Sequence, residues 1–174
     1  NASAVSADGR AIAYTEIVAR QPGATFVVAD ARTFQPLWRA PQRAEPGAAA
    51  LLVLNHDASL LGVLRTLRGT LEIVDTRSGR LLGEASGLPQ GLHQLRFSQD
   101  GRHLLAGTAG QQFLLALDGP QRLQPQALPQ GFGQWLGFLP GPGGDALMWG
   151  GRGSLRQGAQ AAVAQPRDAH VEVG

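Results

Sequence analysis

Leu95-Arg96-Phe97-Ser98-Gln99-Asp100-Gly101-Arg102-His103-Leu104-Leu105-Ala106-Gly107 reads as strand, tight turn, strand. Asp-Gly between two apolar runs is a strong hairpin signal. Glycine supplies a backbone torsion that other residues reach only at a cost, and aspartate closes its own turn. The same unit stands at Ser6-Ala7-Asp8-Gly9-Arg10-Ala11-Ile12-Ala13. Weaker copies are Asn55-His56-Asp57-Ala58-Ser59-Leu60-Leu61-Gly62 and Gly143-Gly144-Asp145-Ala146-Leu147-Met148. The turn aspartates Asp8, Asp57, Asp100 and Asp145 are 49, 43 and 45 positions apart.

Two further markers keep this phase. Phe26 to Thr33 aligns with Leu71 to Ser78 and with Leu114 to Gly119, so that Asp30, Asp75 and Asp118 stand 45 and 43 apart. Each ends a β-rich run and opens a polar turn. Leu88-Pro89-Gln90-Gly91 recurs as Leu128-Pro129-Gln130-Gly131, 40 residues on. A period of about 40–45 residues carrying four short strands is the pattern of a β-propeller blade. The predicted architecture is therefore all-β, an array of about four four-stranded antiparallel blades in one domain. The repeats fall at 1–46, 47–88, 89–129 and 130–174.

Within each repeat the strands read in order. The first has Ala4-Val5, Ala11 to Val18, Thr25 to Ala29 and Pro36 to Ala40. The second has Ala49 to Leu54, Leu60 to Thr66, Thr70 to Val74 and Arg80 to Ala85. Its opening run is continuously apolar, as in a strand buried on both faces. The third has Leu92 to Phe97, His103 to Thr108, Gln112 to Leu117 and Arg122 to Leu128. The fourth has Phe132 to Leu139, Ala146 to Gly150, a weak strand at Ser154 to Gln157 and an alternating tail, His170 to Val173. Gly141 to Gly144 reads as a loop, and so does Ala159 to Pro166. No segment has the length and periodicity of an amphipathic helix.

Composition narrows the function classes. The 174 residues contain no cysteine, which removes disulfides, thiolate chemistry and cysteine metal sites. All 15 basic residues are arginine, so the pI of 10.3 reflects the lack of lysine against a net charge of only +2. The arginines are scattered among acids. No basic stripe points to nucleic acid, and lysine-based Schiff-base or P-loop chemistry is excluded. No apolar run approaches the roughly 18 residues that cross a bilayer, so membrane insertion is not expected. No signal peptide is recognisable, and Asn1-Ala2 reads as the remnant of a cleaved tag. Periplasm and cytoplasm both stay open. The arginine-only, Ala/Gly/Leu-rich composition points to a GC-rich bacterial genome.

The Ser-x-Asp-Gly-Arg hairpins at Ser6 and Ser98 and the Asp-x-Arg-Thr/Ser turns at Asp30 and Asp75 carry a family resemblance. On them the chain resembles bacterial β-propeller repeats of the WD40-like and YVTN-like kind over roughly 150 residues. The Gly-His and Trp-Asp pairs of WD40 blades are absent; Asp30, Asp75 and Asp118 follow Ala, Val and Leu. The resemblance implies propellers of six to eight blades. Four repeats therefore imply a second copy stacked end to end, or further sequence that supplies more blades.

Catalytic constellations are sparse. Ser98, Asp100, His93 and His103 lie close in sequence, but Ser98 and Asp100 are turn residues whose side chains serve backbone donors. No Gly-x-Ser-x-Gly elbow is present. His56-Asp57 and the His93/His103 pair carry metal-ligand chemistry, but they read as turn and surface residues, the four histidines do not recur in phase, and no metal site is predicted. Gly107 to Gly110 and Gly141 to Gly144 lack the helix and lysine of a phosphate loop. No cofactor is predicted. What remains is surface. In such an array the turns between second and third strands share one face with the linkers between repeats. That face would carry Arg68, Gln90, His93, Gln130, Gln134 and Trp135, a mixture suited to protein recognition. Trp135 and Trp149 also read as strand residues packed between blades. The expected function is a non-catalytic interaction or assembly scaffold, with another protein or a second copy as partner. The alternative is a portion of a lactonase-like or quinoprotein-like propeller enzyme.

Overall fold

The turn at Ser98 is closed by side-chain bonds. The Ser98 hydroxyl donates to Asp100 Oδ1 at 2.6 Å, the His103 amide donates to Ser98 Oγ at 2.8 Å, and the Arg102 amide donates to Asp100 Oδ1 at 3.0 Å. The Ser6 turn repeats this with Asp8, Ala11 and Arg10 at 2.6, 3.0 and 3.0 Å. In the Asn55 turn an amide replaces the serine: Asn55 Oδ1 accepts from the Leu60 amide at 2.9 Å, and Ser59 Oγ donates to Asp57 Oδ1 at 2.7 Å. Gly9 and Gly101 take φ of 69° and 70°, and Ala58 stands at the same point with φ of 58°. The chemistry of the turn is thus kept where its glycine is lost.

These turns join strands in a computed structural model that describes residues 2–17, 23–40, 50–108, 110–129, 134–140, 145–151, 154–158 and 169–170. Every regular element among the described residues is a β-strand. The first sheet contains β1 (Ser3–Val5), β2 (Ala11–Glu16), β3 (Thr25–Asp30) and β4 (Pro36–Arg39). The second contains β5 (Ala50–Leu54), β6 (Leu60–Arg65), β7 (Thr70–Asp75) and β8 (Leu81–Ala85). The third contains β9 (Gln94–Phe97), β10 (His103–Gly107), β11 (Gln112–Ala116) and β12 (Gln126–Ala127). The fourth contains β13 (Gln134–Leu139), β14 (Ala146–Gly151), β15 (Ser154–Gly158) and β16 (Ala169–His170). Each is an antiparallel meander in chain order.

The sheets stack face to face. β1 lies against β5, and β5 lies against β9. Ala11, Ala13, Phe26 and Val28 of the first sheet pack on Leu52, Leu54, Leu61 and Val63 of the second. From its other face, Leu64, Leu71 and Ile73 pack on Leu104, Ala106, Phe113 and Leu115 of the third. The pleat sends successive side chains to opposite faces, so β6 alternates Leu61 and Val63 backward with Leu60 and Leu64 forward. A sheet sandwiched in this way needs apolar residues at nearly every position, which is why Leu51 to Leu54 reads as an unbroken run. Gly62 makes room for its cross-strand partner: a Cβ there would sit 2.8 Å from Val53 Cγ1 of the same sheet.

Boundaries depart from the sequence pattern where turns intervene. The last strand of the third repeat, predicted over Arg122 to Leu128, is only the two residues of β12. Leu123 takes a φ of 58° and is buried, and its amide donates to Ala116 O at 2.8 Å, which spends this stretch on a tight turn. Asp118 accordingly lacks the amide bonds that Asp30 and Asp75 accept. Arg80 precedes β8. Residues 18 and 49, predicted at strand ends, and the predicted strand residues 132, 133 and 171–173 lie outside the described residues. So do the loop readings at 141–144 and 159–166.

Candidate functional site

Sheet stacking sorts the connections into two ends. At one end the first-to-second-strand turns meet in series. The Asp8 amide donates to His56 O at 3.2 Å, and the Asp100 amide donates to Asp145 Oδ2 at 3.0 Å. Asn55 Nδ2 lies 3.7 Å from where a Cβ on Gly101 would stand. The third-to-fourth-strand turns share this end. Asp30 Oδ1 accepts from the Thr33 and Arg32 amides at 2.8 and 2.9 Å, and Asp75 Oδ1 from the Arg77 and Ser78 amides at 2.9 and 3.0 Å. These bonds favour the charged form, so both carboxyls titrate below the usual value of 3.8, chiefly through the Thr33 and Ser78 amides. The Ser6 and Ser59 hydroxyls do the same for Asp8 and Asp57. Asp8, Asp30, Asp57 and Asp75 are thus committed to holding turns.

The other end is built differently. The β6–β7 turn exposes Leu67 and Arg68, with Leu67 65% exposed. The Gln90 side-chain amide donates to Leu67 O at 3.1 Å, which ties the linker after β8 to this turn. Gly69 makes the crossing possible: it has a φ of 63°, and a Cβ on it would stand 2.0 Å from Leu88 O. His93 is exposed at the end of the linker, with Nδ1 3.3 Å from Gly91 O. Beside it, Gln112 Nε2 donates to Gln94 Oε1 at 3.0 Å. In the first sheet the equivalent end exposes Ile17, 66% accessible. Arg68, Gln90 and His93 thus share one end of the molecule. Gln130 lies outside the described residues, as do the side chains of Gln134 and Trp135, whose backbones pair with Gly150 and Trp149.

Sequence reasoning missed Leu67 and Ile17, because apolar residues at strand ends read as more strand. It also missed Trp38, which packs against the core between the first two sheets with Nε1 2.9 Å from where a Cβ on Gly79 would stand. Of the catalytic constellations weighed, Ser98 is buried, with its hydroxyl engaged by Asp100 and the His103 backbone. Among the described residues no group of three or more His, Cys, Asp or Glu is placed to hold a metal ion. A recess of about 140 Å³ opens between the second and third sheets, walled by Leu60, Ile73, Leu82 and Leu117, with Arg102 and Asp118 at its rim.

No family model matches the chain, and no curated protein does. Many solved structures resemble it. One is described as a complex of KlAtg21 with the coiled-coil of AgAtg16: it matches 98% of this chain at 14% identity with a TM-score of 0.70. The chain spans 56% of the length of the matched protein. At that identity the likeness is one of fold alone.

Proposed function

We propose that the chain is a propeller-like array of four blades that acts as a non-catalytic protein-interaction module. It presents the linker end to a protein partner. Successive sheets stacked through β1, β5 and β9, with repeats in one phase, support the radial arrangement. The observation that carries the interaction reading is the Gln90–Leu67 tie, which fixes the linker on the β6–β7 turn and sets exposed Leu67 beside Arg68 and Gln90, a mix of apolar, arginine and amide groups that protein interfaces favour. The matched structure supports the reading more loosely, since that protein is seen bound to a coiled coil.

Affinity capture from an extract of the source cells, followed by binding measurement with the captured protein, tests this. Wild type and the opposite-end variant Arg32→Glu are expected to bind equally, while Leu67→Glu weakens binding at least tenfold. Equal binding by Leu67→Glu, or no captured protein at all, contradicts the proposal.

A further inference from the structure

The interface between the first two sheets is closed by a tryptophan over a glycine. Trp38 pairs with Val28, and its indole Nε1 lies 2.9 Å from where a Cβ on Gly79 would stand. Gly79 has a φ of 70°, and its amide donates to Asp75 O at 2.8 Å in the turn that leaves β7. The next interface exchanges the two sizes. Gly83, which pairs with Ile73, holds the register position of Trp38. Leu123 holds the turn position of Gly79: its φ is 58°, and its amide donates to Ala116 O at 2.8 Å. A Cβ on Gly83 would stand 2.4 Å from Leu123 Cδ1. A leucine is smaller than a tryptophan, and the recess of about 140 Å³ between the second and third sheets opens at this exchange.

The same turn releases a carboxylate. Asp30 and Asp75 pair with Ala11 and Leu60, and the matching position in the third sheet, opposite His103, is Ala116. The turn that follows is longer, running from Ala116 to Leu123 where the second sheet needs only Asp75 to Gly79. Asp118 lies within it, half-buried at the recess, and among the described residues no group bonds to its side chain. A half-buried carboxylate beside Leu60, Ile73, Leu82 and Leu117 calls for a donor. Arg122 does not supply it, because its Nη2 donates to Leu82 O at 2.8 Å. Arg102 stands exposed at the rim.

We propose that this recess takes the tryptophan side chain of a partner polypeptide. The apolar walls receive the ring, the indole N–H donates to the Asp118 carboxylate, and the ring face meets the Arg102 guanidinium. Two arginines beside the carboxylate disfavour a cationic donor. A neutral N–H on an apolar body is what remains. Trp38 shows the same fit within the chain, an indole laid between two sheets with its Nε1 edge toward the turn of the next. The recess is at the turn end, so the proposal stands apart from the linker-end reading.

Amide shifts of the isotope-labelled chain, titrated with the blocked peptide acetyl-Gly-Trp-Gly-amide, test it. Shifts are expected at Leu60, Ile73, Gly101 and Leu117, with a dissociation constant of about 1 mM, as befits one side chain. Asp118→Ala removes a group with no described partner, so the fold is kept, and binding is expected to weaken about tenfold. Methylating the indole nitrogen of the peptide is expected to cost the wild-type chain the same. The two changes together should cost no more than either alone. Silence at these amides, unchanged binding after either change, or tighter binding of acetyl-Gly-Lys-Gly-amide overturns the proposal. Free indole that shifts these amides where the peptide does not would mean a cavity closed to a chain, and that too overturns it.

Discussion

Among the described residues the second sheet packs on a neighbour at both faces, and the first sheet packs on one at its forward face. Their turns, strand lengths and registers are nearly the same, so the pair isolates what stacking adds to a four-stranded sheet. In the second, the central strands β6 and β7 bury Leu61, Leu64, Leu71 and Ile73 almost completely. In the first, β2 buries Ala11 and Ala13 forward and leaves Ile12 and Tyr14 half-covered behind, while their cross-strand partners Ala29 and Val27 in β3 are fully buried. A meander of this size is marginal alone. Its stability comes from apolar area removed from water by the next sheet, at about 25 cal/mol per Å².

The sharpest way to break the comparison is to truncate equivalent residues. Leu61→Ala empties a site closed on all sides and is expected to cost about 2–5 kcal/mol. Ile12→Ala at the matching position of the first sheet is expected to cost about 1 kcal/mol or less. Urea unfolding of both variants makes the measurement. Equal losses would mean that the second sheet owes nothing to its extra neighbour.

The next effect concerns the linker crossing. Gly69→Ala places a methyl on the Leu88 carbonyl at a left-handed position, and about 2 kcal/mol or more of destabilisation is expected. Gly9→Ala has the same backbone torsion and open space around it, so about 1 kcal/mol is expected there. If thermal unfolding finds the two equal, the linker does not pack on the β6–β7 turn as described.

Smaller again is the ion-pair contrast. Arg65→Ala loses a two-bond carboxylate contact and the stack over Phe26, and about 1–2 kcal/mol is expected. Arg39→Ala, whose pair with Glu16 is more exposed, is expected to cost under about 1 kcal/mol. A double-mutant cycle of Arg65→Ala with Phe26→Leu reads the stack directly, and zero coupling would remove it.

Much of this was legible in the residues. The Asp-Gly turns announced themselves through spacing, and the apolar run at Leu51 to Leu54 foretold a sheet covered twice. Asn55 and Ala58 hid the second turn, because an amide oxygen does the work of a hydroxyl and an alanine adopts a glycine torsion. The short β12 was hidden by Leu123, since nothing in a leucine signals a left-handed turn. Arg68, Gln90 and His93 could be placed together because loop phase follows strand count. The exposure of Leu67 could not be read, since it depends on where one strand stops.

The mildest prediction concerns acid. Asp8, Asp30, Asp57 and Asp75 have folded pKa values below 3.8, so each contributes stability that is complete above that value and lost as pH falls through the lowered one. The urea midpoint should hold steady from neutral pH to about 5 and drop below about pH 4. Asp75→Asn should flatten the acid limb slightly. An unchanged limb would mean that the Ser78 and Arg77 amides do not bind the carboxylate.

The claim that sheets gain their stability by face stacking is tested most directly by amide hydrogen exchange. Protection is predicted to be greatest at Leu61, Val63, Leu71 and Ile73 and lower across β2, in the order of their cover. Equal protection in β2 and β6, or the reverse order, would contradict the stacked arrangement.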